Sequence, residues 1–233
     1  MTDLGDRMKR YEISSQLSLT RRTPVIIRID GRAFHTYARH ADKPFDNNLS
    51  RLMQYTTKQL CKEVSGCVFG YSQSDEISLL LIDYQQLNTE AWFDYNVQKL
   101  TSITASIATA EFNEARFDLC LNEFEFPEFA TFDSRSFNIP EDDVVNYMVW
   151  RQRDAIRNSI QSLAQANYSQ KQLNGISTAD LIVKLREEKG IEWLDLPIIQ
   201  QRGFAVKNNE VDINIPIFSQ NREWFKKSEL DFN

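Results

Sequence analysis

Two stretches of the chain place carboxylates where apolar runs end. Asp30 follows the β-branched run 25–29, and Asp75 and Glu76 lie at the polar centre of residues 67–82, a pattern typical of a β-hairpin. If the hairpin pairs with the strand at 25–29, Asp30 and Asp75 meet at one end of a sheet. Adjacent carboxylates repel each other, and hard divalent cations such as Mg²⁺ relieve that repulsion. One hypothesis is therefore a two-metal phosphoryl-transfer site.

A plainer interpretation fits the same spacing. Asp30 could cap a helix that begins near Arg32, and Asp75 and Glu76 could be solvated turn residues. A strand that ends in Asp and a hairpin that carries Asp are both common. Spacing alone therefore leaves both interpretations open.

The elements around these carboxylates follow a recognisable order. Residues 25–29 predict a strand, 48–64 a helix, 67–82 a hairpin, 95–116 a second helix and 130–139 a further strand. This βαββαβ order predicts an α+β, ferredoxin-like layer with both helices on one face. The palm domains of nucleotide polymerases and nucleotide cyclases are built in this way.

The remaining segments are expected to pack around that layer. Residues 7–19 form a short amphipathic segment whose Met8, Tyr11 and Ile13 could contact the core. Further helices are predicted at 142–165 and at 178–188, the latter capped by Ser177 or Thr178. Extended pieces follow Gly190. We therefore expect a palm catalytic domain at 1–140 with a basic N-terminal segment, and a helical and extended region at 141–233 packed on it as one unit.

Charge is unevenly distributed along the 233 residues, whose net charge is −6. Residues 1–64 carry 12 Lys and Arg against 7 Asp and Glu, whereas the remainder carries 15 against 26. The basic part therefore surrounds Asp30 in sequence, which favours a polyanionic ligand there. Basic residues are also common on ordinary solvated surfaces, so this alternative stays open.

Cysteine usage and hydropathy indicate the compartment. Cys61, Cys67 and Cys120 lack metal-type spacing, and their odd number argues against a disulfide framework. No apolar run approaches the roughly 20 residues that span a bilayer, and no apolar signal region follows the first charges. We expect a cytoplasmic protein without a membrane segment.

Several motifs, taken together and in order, resemble the tRNA-histidine guanylyltransferase family. They are RIDGRAFH at 28–35, DKPFD at 42–46, GYSQSDE at 70–76, FDSR at 132–135 and YMVWRQRDAIRNSI at 147–160. The resemblance covers roughly residues 5–205 and includes the Thg1-like members that polymerise in the 3′-to-5′ direction. Each motif alone is weak, but the ordered set is specific.

The resemblance implies roles for particular residues. The carboxylates of Asp30 and Asp75 and the carbonyl of Gly31 would hold two Mg²⁺ ions, and Glu76 would act as a supporting catalytic acid. His35 would contact a phosphate or ribose, although a half-buried structural histidine is an alternative. The nucleotide-binding positions implied in this way are Asp30, Gly31, Arg32, Ala33, Phe34, His35, Lys43, Ser74, Asp75 and, by a less secure match, Lys99.

The implied reaction extends the 5′ end of tRNA. ATP activates a 5′-monophosphate to an adenylylated end, and the 3′-hydroxyl of an incoming GTP or other nucleotide attacks that end. A 5′-triphosphate needs no activation. The implied partners are nucleoside triphosphates and the 5′ end and acceptor stem of tRNA, and the implied assembly is a homotetramer.

One segment departs from the pattern of enzymes dedicated to tRNA-histidine. Their His-Ile-Asn-Asn-Leu-Tyr-Asn motif is replaced here by IRNSIQS at 156–162. We therefore favour the Thg1-like branch, which repairs 5′-truncated tRNAs by templated addition, over tRNA-histidine guanylylation. The expected RNA contacts are Arg28, Arg151, Arg153, Arg157 and Asn158. Salt bridges with acids such as Asp154 are the alternative role for the arginines on this helix.

Two other classes share parts of this pattern. A nucleotide cyclase would use the same palm and metals, but GYSQSDE is a poor match to the Gly-Gly-Asp/Glu-Glu-Phe-like hairpin of that class. A non-enzymatic RNA-binding module would not need paired acids at strand ends. Both remain alternatives at this stage.

Overall fold

The computed structural model describes residues 3–118 and 129–226, so Cys120 lies outside the described residues. The strands are β1 Val25–Gly31, β2 Cys67–Gln73, β3 Glu76–Leu81, β4 Phe132–Asn138, β5 Phe204–Lys207 and β6 Glu210–Asp212. The helices are α1 Leu4–Ile13, α2 Phe34–Tyr37, α3 Asn47–Glu63, α4 Val97–Asp118, α5 Val144–Asn167, α6 Gln170–Leu173, α7 Thr178–Lys189, α8 Ile198–Arg202 and α9 Glu223–Lys226. Short 3₁₀ segments occupy Trp92–Tyr95, Glu141–Asp143 and Trp193–Asp195.

The strands form one sheet in the order β4-β1-β3-β2-β5-β6, and every neighbouring pair is antiparallel. The first four strands with α3 and α4 have the order and connections of a ferredoxin-like fold. The α+β palm predicted from the sequence is therefore confirmed. Strands β5 and β6 extend this sheet beyond β2.

The central strand β1 has different neighbours on its two faces. Val25, Ile27 and Ile29 belong to a core cluster with residues of α3 and α4, whereas Ile26 belongs to a second cluster with residues of α5. Successive side chains of a strand point to opposite faces, so one apolar run supplies both cores. Arg28 follows Ile26 on the α5 face.

The two predicted palm helices form where their apolar spacing places them. Helix α3 buries Leu52, Met53 and Leu60 and begins after Asp46, whose carboxylate accepts hydrogen bonds from two backbone amides of the first turn. Helix α4 covers the same face of the sheet and buries Phe112. The two helices lie on one face, as predicted.

The C-terminal helices also match their predictions. Helix α5 occupies Val144–Asn167 and packs on the opposite face of the sheet from α3 and α4. Helix α7 is capped by Ser177, whose side-chain oxygen accepts from the amide of Asp180. No described helix is long and apolar enough to span a membrane.

Two expectations were wrong. Helix α1 buries none of its side chains, and Met8, Tyr11 and Ile13 are 42%, 70% and 60% exposed, because the chain bonds to the segment around Asn96 only after the helix, at residues 15–19. The segment after Gly190 was predicted as extended, but Trp193–Asp195 and Ile198–Arg202 are helical. Its extended part does more than close the surface, since β5 pairs with β2 and places Ala205 opposite Tyr71. Strands of three or four residues, such as β6 and β5, are too short to show a clear alternation of apolar and polar residues in the sequence.

Candidate active site

The sheet brings the two carboxylate stretches together at one end. Asp30 is the cross-strand partner of Glu76, and the amide of Gly31 donates to the carbonyl oxygen of Asp75 at 3.1 Å. The end of β1 and the β2–β3 turn are therefore adjacent. The prediction that Asp30 and Asp75 meet is confirmed.

Gly31 permits this close approach. An added Cβ would lie 2.4 Å from Cδ2 of Phe34, closer than real Cβ atoms pack, and 3.0 Å from Cβ of Asp75, which is tighter than most such contacts. The ring of Phe34 is held in a core cluster with Phe112 and Phe132, so it has little room to move. Glycine at position 31 therefore lets the turn after β1 lie directly against the β2–β3 turn.

Asp30 is not a helix cap. Helix α2 begins at Phe34, its N-cap is Ala33, and no side chain bonds to its first amides. The carboxylate of Asp30 is instead 32% exposed, with an Arg28 nitrogen 3.7 Å away. This arrangement contradicts the capping alternative and leaves Asp30 available to a ligand.

Asp75 carries a poorly compensated charge. Burial raises the pKa of its carboxyl group, and the nearby Asp30 raises it further, although a hydrogen bond from the Ser74 hydroxyl at 3.0 Å opposes the shift. Among the described residues, no Lys, Arg or His forms an ion pair with Asp75. A bound cation would stabilise the ionised form of this carboxyl.

The donor set at this point suits Mg²⁺. Two carboxylates and the Gly31 carbonyl are hard oxygen ligands, and Mg²⁺ characteristically uses one or two carboxylates together with water and substrate phosphates. No group of three or more His, Cys, Asp or Glu is arranged for metal binding within residues 3–118 and 129–226. Two carboxylates and one carbonyl leave coordination positions open for water and substrate phosphates, as Mg²⁺ requires.

Glu76 has a different environment from its two acidic neighbours. Its Oε1 accepts from Nε of Arg151 at 2.6 Å, and its Oε2 accepts from a terminal nitrogen of Arg151 at 2.7 Å. A terminal nitrogen of Arg28 also lies 2.5 Å from Oε2. Burial raises the pKa of Glu76, and the two arginines oppose that rise. Glu76 is thus an anchored carboxylate between two cations.

A cavity of about 590 Å³ opens beside these groups. It lies between the loop before α3 on one side and α5 and α8 on the other. The predicted site residues that line it are Arg28, Asp30, Phe34, His35, Lys43, Ser74, Asp75, Glu76, Arg151 and Asn158. His35 and Lys43 are exposed, and the ammonium of Lys43 donates to the carbonyl of Ala38 at 3.1 Å.

Other predicted nucleotide contacts lie outside this lining. Arg32 and Ala33 are exposed in the turn after β1, where the amide of Arg32 donates to the carbonyl of Thr131. Within a single chain, Lys99 lies too far from the site to make its predicted nucleotide contact. Helix α4 reaches the site end of the sheet at Asn113, and Lys99 lies about 20 Å earlier along that helix, with its ammonium over Phe93.

Comparisons with known proteins identify the family of this chain. A sequence model described as tRNAHis guanylyltransferase (Thg1) matches residues 5–140. The chain belongs to the tRNAHis guanylyltransferase family. This family consists of nucleotidyltransferases, so the enzyme class predicted from the motifs is confirmed.

Individual relatives support the same membership. A bacterial Thg1-like protein in complex with ATP is 43% identical, with a TM-score of 0.93, and the match covers 99% of this chain and 100% of that one. A second bacterial Thg1-like structure, in complex with GTP, is 40% identical, with a TM-score of 0.84 and coverage of 98% and 99%. A probable tRNA(His) guanylyltransferase of Dictyostelium discoideum is 32% identical over 139 residues, which are 58% of this chain and 52% of the relative.

In this Thg1-family chain, one of the three α5 arginines predicted to contact RNA is buried and the other two are exposed. Arg151 is 3% exposed and bonded to Glu76 and Asp154, so it does not present a free guanidinium to RNA, a correction to its predicted role. Arg157 is exposed but pairs with Asp154. Arg153, one turn before Arg157 on the same side of the helix, is also exposed. RNA contact by Arg153 or Arg157 stays a prediction.

Several residues that line the cavity were not predicted as site residues. Ser159 is buried and accepts from Nε1 of Trp193 at 3.0 Å, and Asp46 caps α3 at the cavity wall. Helix α8 adds Gln200 to Gly203 from a distant part of the chain. Asp46 lies in the DKPFD motif and Ser159 in the motif at 147–160, whereas the residues after Ile199 lie in none of the quoted motifs. These residues become neighbours only through the packing of α5 and α8 on the sheet.

Proposed function

We propose that the chain is a template-dependent 3′-to-5′ nucleotidyltransferase that adds nucleotides to the 5′ end of tRNA. The observation that carries this proposal is the Asp30 and Asp75 pair, which faces a 590 Å³ cavity with Lys43 on its wall. Such a pair suits Mg²⁺-assisted phosphoryl transfer. Two Mg²⁺ ions held by Asp30, Asp75 and Gly31 would neutralise the phosphates and lower the pKa of an attacking hydroxyl.

Other side chains of the protein would bind and orient the substrate. Lys43 would place a positive charge beside a triphosphate, and His35 would donate a hydrogen bond to a phosphate or ribose oxygen. Arg28, next to Asp30, would add positive charge near the reacting phosphate. The bacterial structures with 43% and 40% identity are complexes with ATP and GTP, which supports a nucleoside triphosphate as the occupant of this cavity.

The proposed sequence has an activation step and an addition step. A 5′-phosphate oxygen of the RNA attacks the α-phosphorus of ATP, and pyrophosphate leaves. The 3′-hydroxyl of the incoming nucleotide then attacks the activated 5′-phosphorus, loses its proton, and displaces AMP. The new 5′ end carries the triphosphate of the incoming nucleotide, so the enzyme must hold two nucleotide triphosphate groups at different steps.

The choice of RNA is proposed from α5. Ile156 and Ser159 replace the residues of the motif in enzymes dedicated to tRNA-histidine. Here Ile156 packs against a core cluster, and the hydroxyl of Ser159 is bonded to Trp193. These inward contacts support repair of 5′-truncated tRNA over addition of the extra guanosine to tRNA-histidine, which is the second candidate.

The test compares two 5′-labelled, monophosphorylated RNAs in the presence of Mg²⁺, ATP and GTP. One is tRNA-histidine without its extra guanosine, and the other is a tRNA without its first paired nucleotide. We expect extension of the truncated tRNA, with the added base set by the opposite strand. Preferred unpaired addition to tRNA-histidine would support the second candidate. Failure to extend either RNA would reject the polymerase and favour a non-enzymatic RNA-binding module.

We also propose that the chain self-associates, as the homotetramer implied by its resemblance. Helix α1 supports this proposal because Leu4, Met8 and Tyr11 recur on one side of it and are exposed. Light scattering on the purified chain should give four times the monomer mass. A monomeric mass at micromolar concentration would reject the proposal.

A further inference from the structure

The anchoring of Glu76 sets it apart from Asp30 and Asp75. All three acids lie at the same end of the sheet, where Glu76 is next to Asp75 in sequence and opposite Asp30 across the strands. Yet both oxygens of Glu76 accept hydrogen bonds from Arg151, and Asp75 has no ion pair with a described residue. Two acids of the cluster are thus available to a cation and the third is not.

Arg151 is itself held firmly. Its side chain is 4% exposed, a terminal nitrogen donates to Asp154 at 2.9 Å, and its guanidinium lies 4.3 Å from the ring centroid of Trp150. A buried guanidinium that lost Glu76 would keep an uncompensated charge. Arg151 thus holds both oxygens of Glu76, whereas Arg28 contacts only Oε2 and itself lies beside Asp30. Glu76 could turn towards Asp30 and Asp75 together with Arg28, but only if Arg151 is released or replaced.

A third carboxylate would change the cation site. The number and charge of carboxylate ligands set the affinity of a site for a hard divalent cation. A site that must also accept substrate phosphates needs open coordination positions. If Glu76 joined Asp30 and Asp75, it would occupy one such position and hold the cation more tightly.

We propose that Arg151 is a positioning residue that keeps Glu76 out of the cation site formed by Asp30 and Asp75. This inference rests on the proposed function, because it assumes that Asp30 and Asp75 hold the cation. It assigns Glu76 an indirect role, in which the carboxylate fixes Arg28 beside Asp30 and stays away from the metal. The predicted supporting acid thereby becomes a structural counter-charge.

The test measures Mn²⁺ binding to the full chain by isothermal titration calorimetry, without RNA or nucleotide. We expect Arg151→Gln to bind Mn²⁺ about tenfold more tightly than the wild type, because a carboxylate is released beside the site. Arg151→Gln with Glu76→Gln should return to the wild-type affinity. Arg151→Lys keeps the counter-charge and should stay within about threefold of wild type.

A matched control separates coordination from a change in overall charge. Arg157→Gln removes a positive charge from the same helix, but Arg157 bonds to Asp154 and not to Glu76. It should therefore change Mn²⁺ affinity by less than about twofold. The gain from Arg151→Gln should also persist at 0.5 M salt, where through-space attraction between charges is screened to about 4 Å.

The outcomes separate this inference from the proposed function. If the wild type binds Mn²⁺ and Asp75→Asn does not, the cation site stands. Unchanged or weaker binding by a folded Arg151→Gln variant would then overturn the inference alone. If Arg151→Gln does not fold, Glu76→Gln decides, because a loss as complete as that of Asp75→Asn would make Glu76 a ligand. Absence of Mn²⁺ binding by the wild type would overturn the inference, whereas the extension assay on the two RNAs decides the proposed function separately.

Discussion

The two faces of the sheet are built on the same strand and yet differ in kind. Towards α3 and α4, β1 presents Val25, Ile27 and Ile29, all fully buried in an apolar cluster. Towards α5 it presents Ile26, then Arg28 and then Asp30, so that this face changes from apolar to charged along the strand. On this face, helix α5 contributes charged residues of its own, Arg151 and Asp154.

Within the seven residues of β1, one face thus contributes mainly to stability and the other mainly to chemistry. An apolar face can be packed without satisfying any polar group, and its burial supplies most of the free energy of folding. Charged groups at the end of the other face are held by ion pairs, which contribute little net stability when buried. Substitutions on the face towards α3 and α4 should therefore lower stability more than activity. Substitutions at the charged end of the α5 face should lower activity more than stability.

The largest effect is expected on activity at the charged end. Asp30→Asn and Asp75→Asn should each lower nucleotide addition on the order of 10³-fold or more, because the cation loses a ligand. Single-turnover extension of a labelled 5′-truncated tRNA measures this effect. Circular dichroism should show that both variants remain folded. Near-normal rates in either variant would contradict the site assignment.

The comparison between the faces is tested most directly at two adjacent residues. Ile29→Ala should lower the free energy of unfolding by about 2–5 kcal/mol, because the side chain is fully buried. Arg28→Met should change it by about 1 kcal/mol or less, yet reduce nucleotide addition about 10- to 100-fold. Urea denaturation and extension assays on both variants measure the contrast. Equal losses of stability would contradict the separation.

An intermediate effect is expected at Gly31, at the end of β1. Gly31→Ala would place a methyl group 2.4 Å from the ring of Phe34, so either the ring or the turn must shift. We expect a loss of about 1–3 kcal/mol in unfolding free energy, together with reduced activity. Gly175→Ala is a suitable comparison, because its added Cβ meets nothing within 4 Å, although its φ of +78° introduces backbone strain of its own. Similar losses of activity in both variants would contradict the crowding argument.

A smaller effect is expected where α5 meets Trp193. Ser159→Ala leaves the indole N–H of Trp193 without its acceptor and should lower the free energy of unfolding by about 1–2 kcal/mol. Ser162→Ala, one turn later on α5 and half-buried, should change it by less than about 0.5 kcal/mol. Urea denaturation of both variants measures the difference, and equal effects would mean that the hydrogen bond contributes nothing.

The smallest effect concerns pH. Because the pKa of Asp75 is raised in the folded chain, its ionised form is penalised at neutral pH, and the penalty disappears as the pH falls below the unfolded value of about 4. In Mg²⁺-free buffer, Asp75→Asn should therefore melt about 2–4 °C above the wild type at pH 7. The gap should shrink towards pH 4. A gap that widens on acidification would contradict the raised pKa.

The predictable part of this fold depended on strong local patterns. The run 25–29, the helix face of Leu52 and Leu60 and the turn at Ser74 each specify their element within a short window. Helix α1 was predicted as amphipathic, but its packing was not predictable, because amphipathic spacing does not say which surface will cover it. Strands β5 and β6 are three or four residues long and depend on β2 for their pairing.

The sequence by itself determined the α+β order, through its apolar periodicity, and the family, through its ordered motifs. It left the meeting of Asp30 with Asp75 open, and strand pairing in the folded chain decided it. Only the tertiary structure decided what each charge does. Whether Arg151 faces RNA or Glu76 depends on the rotation of α5 against the sheet, and that rotation follows from the packing of side chains distant in sequence. A charged residue acquires its role from the partner that the fold places beside it.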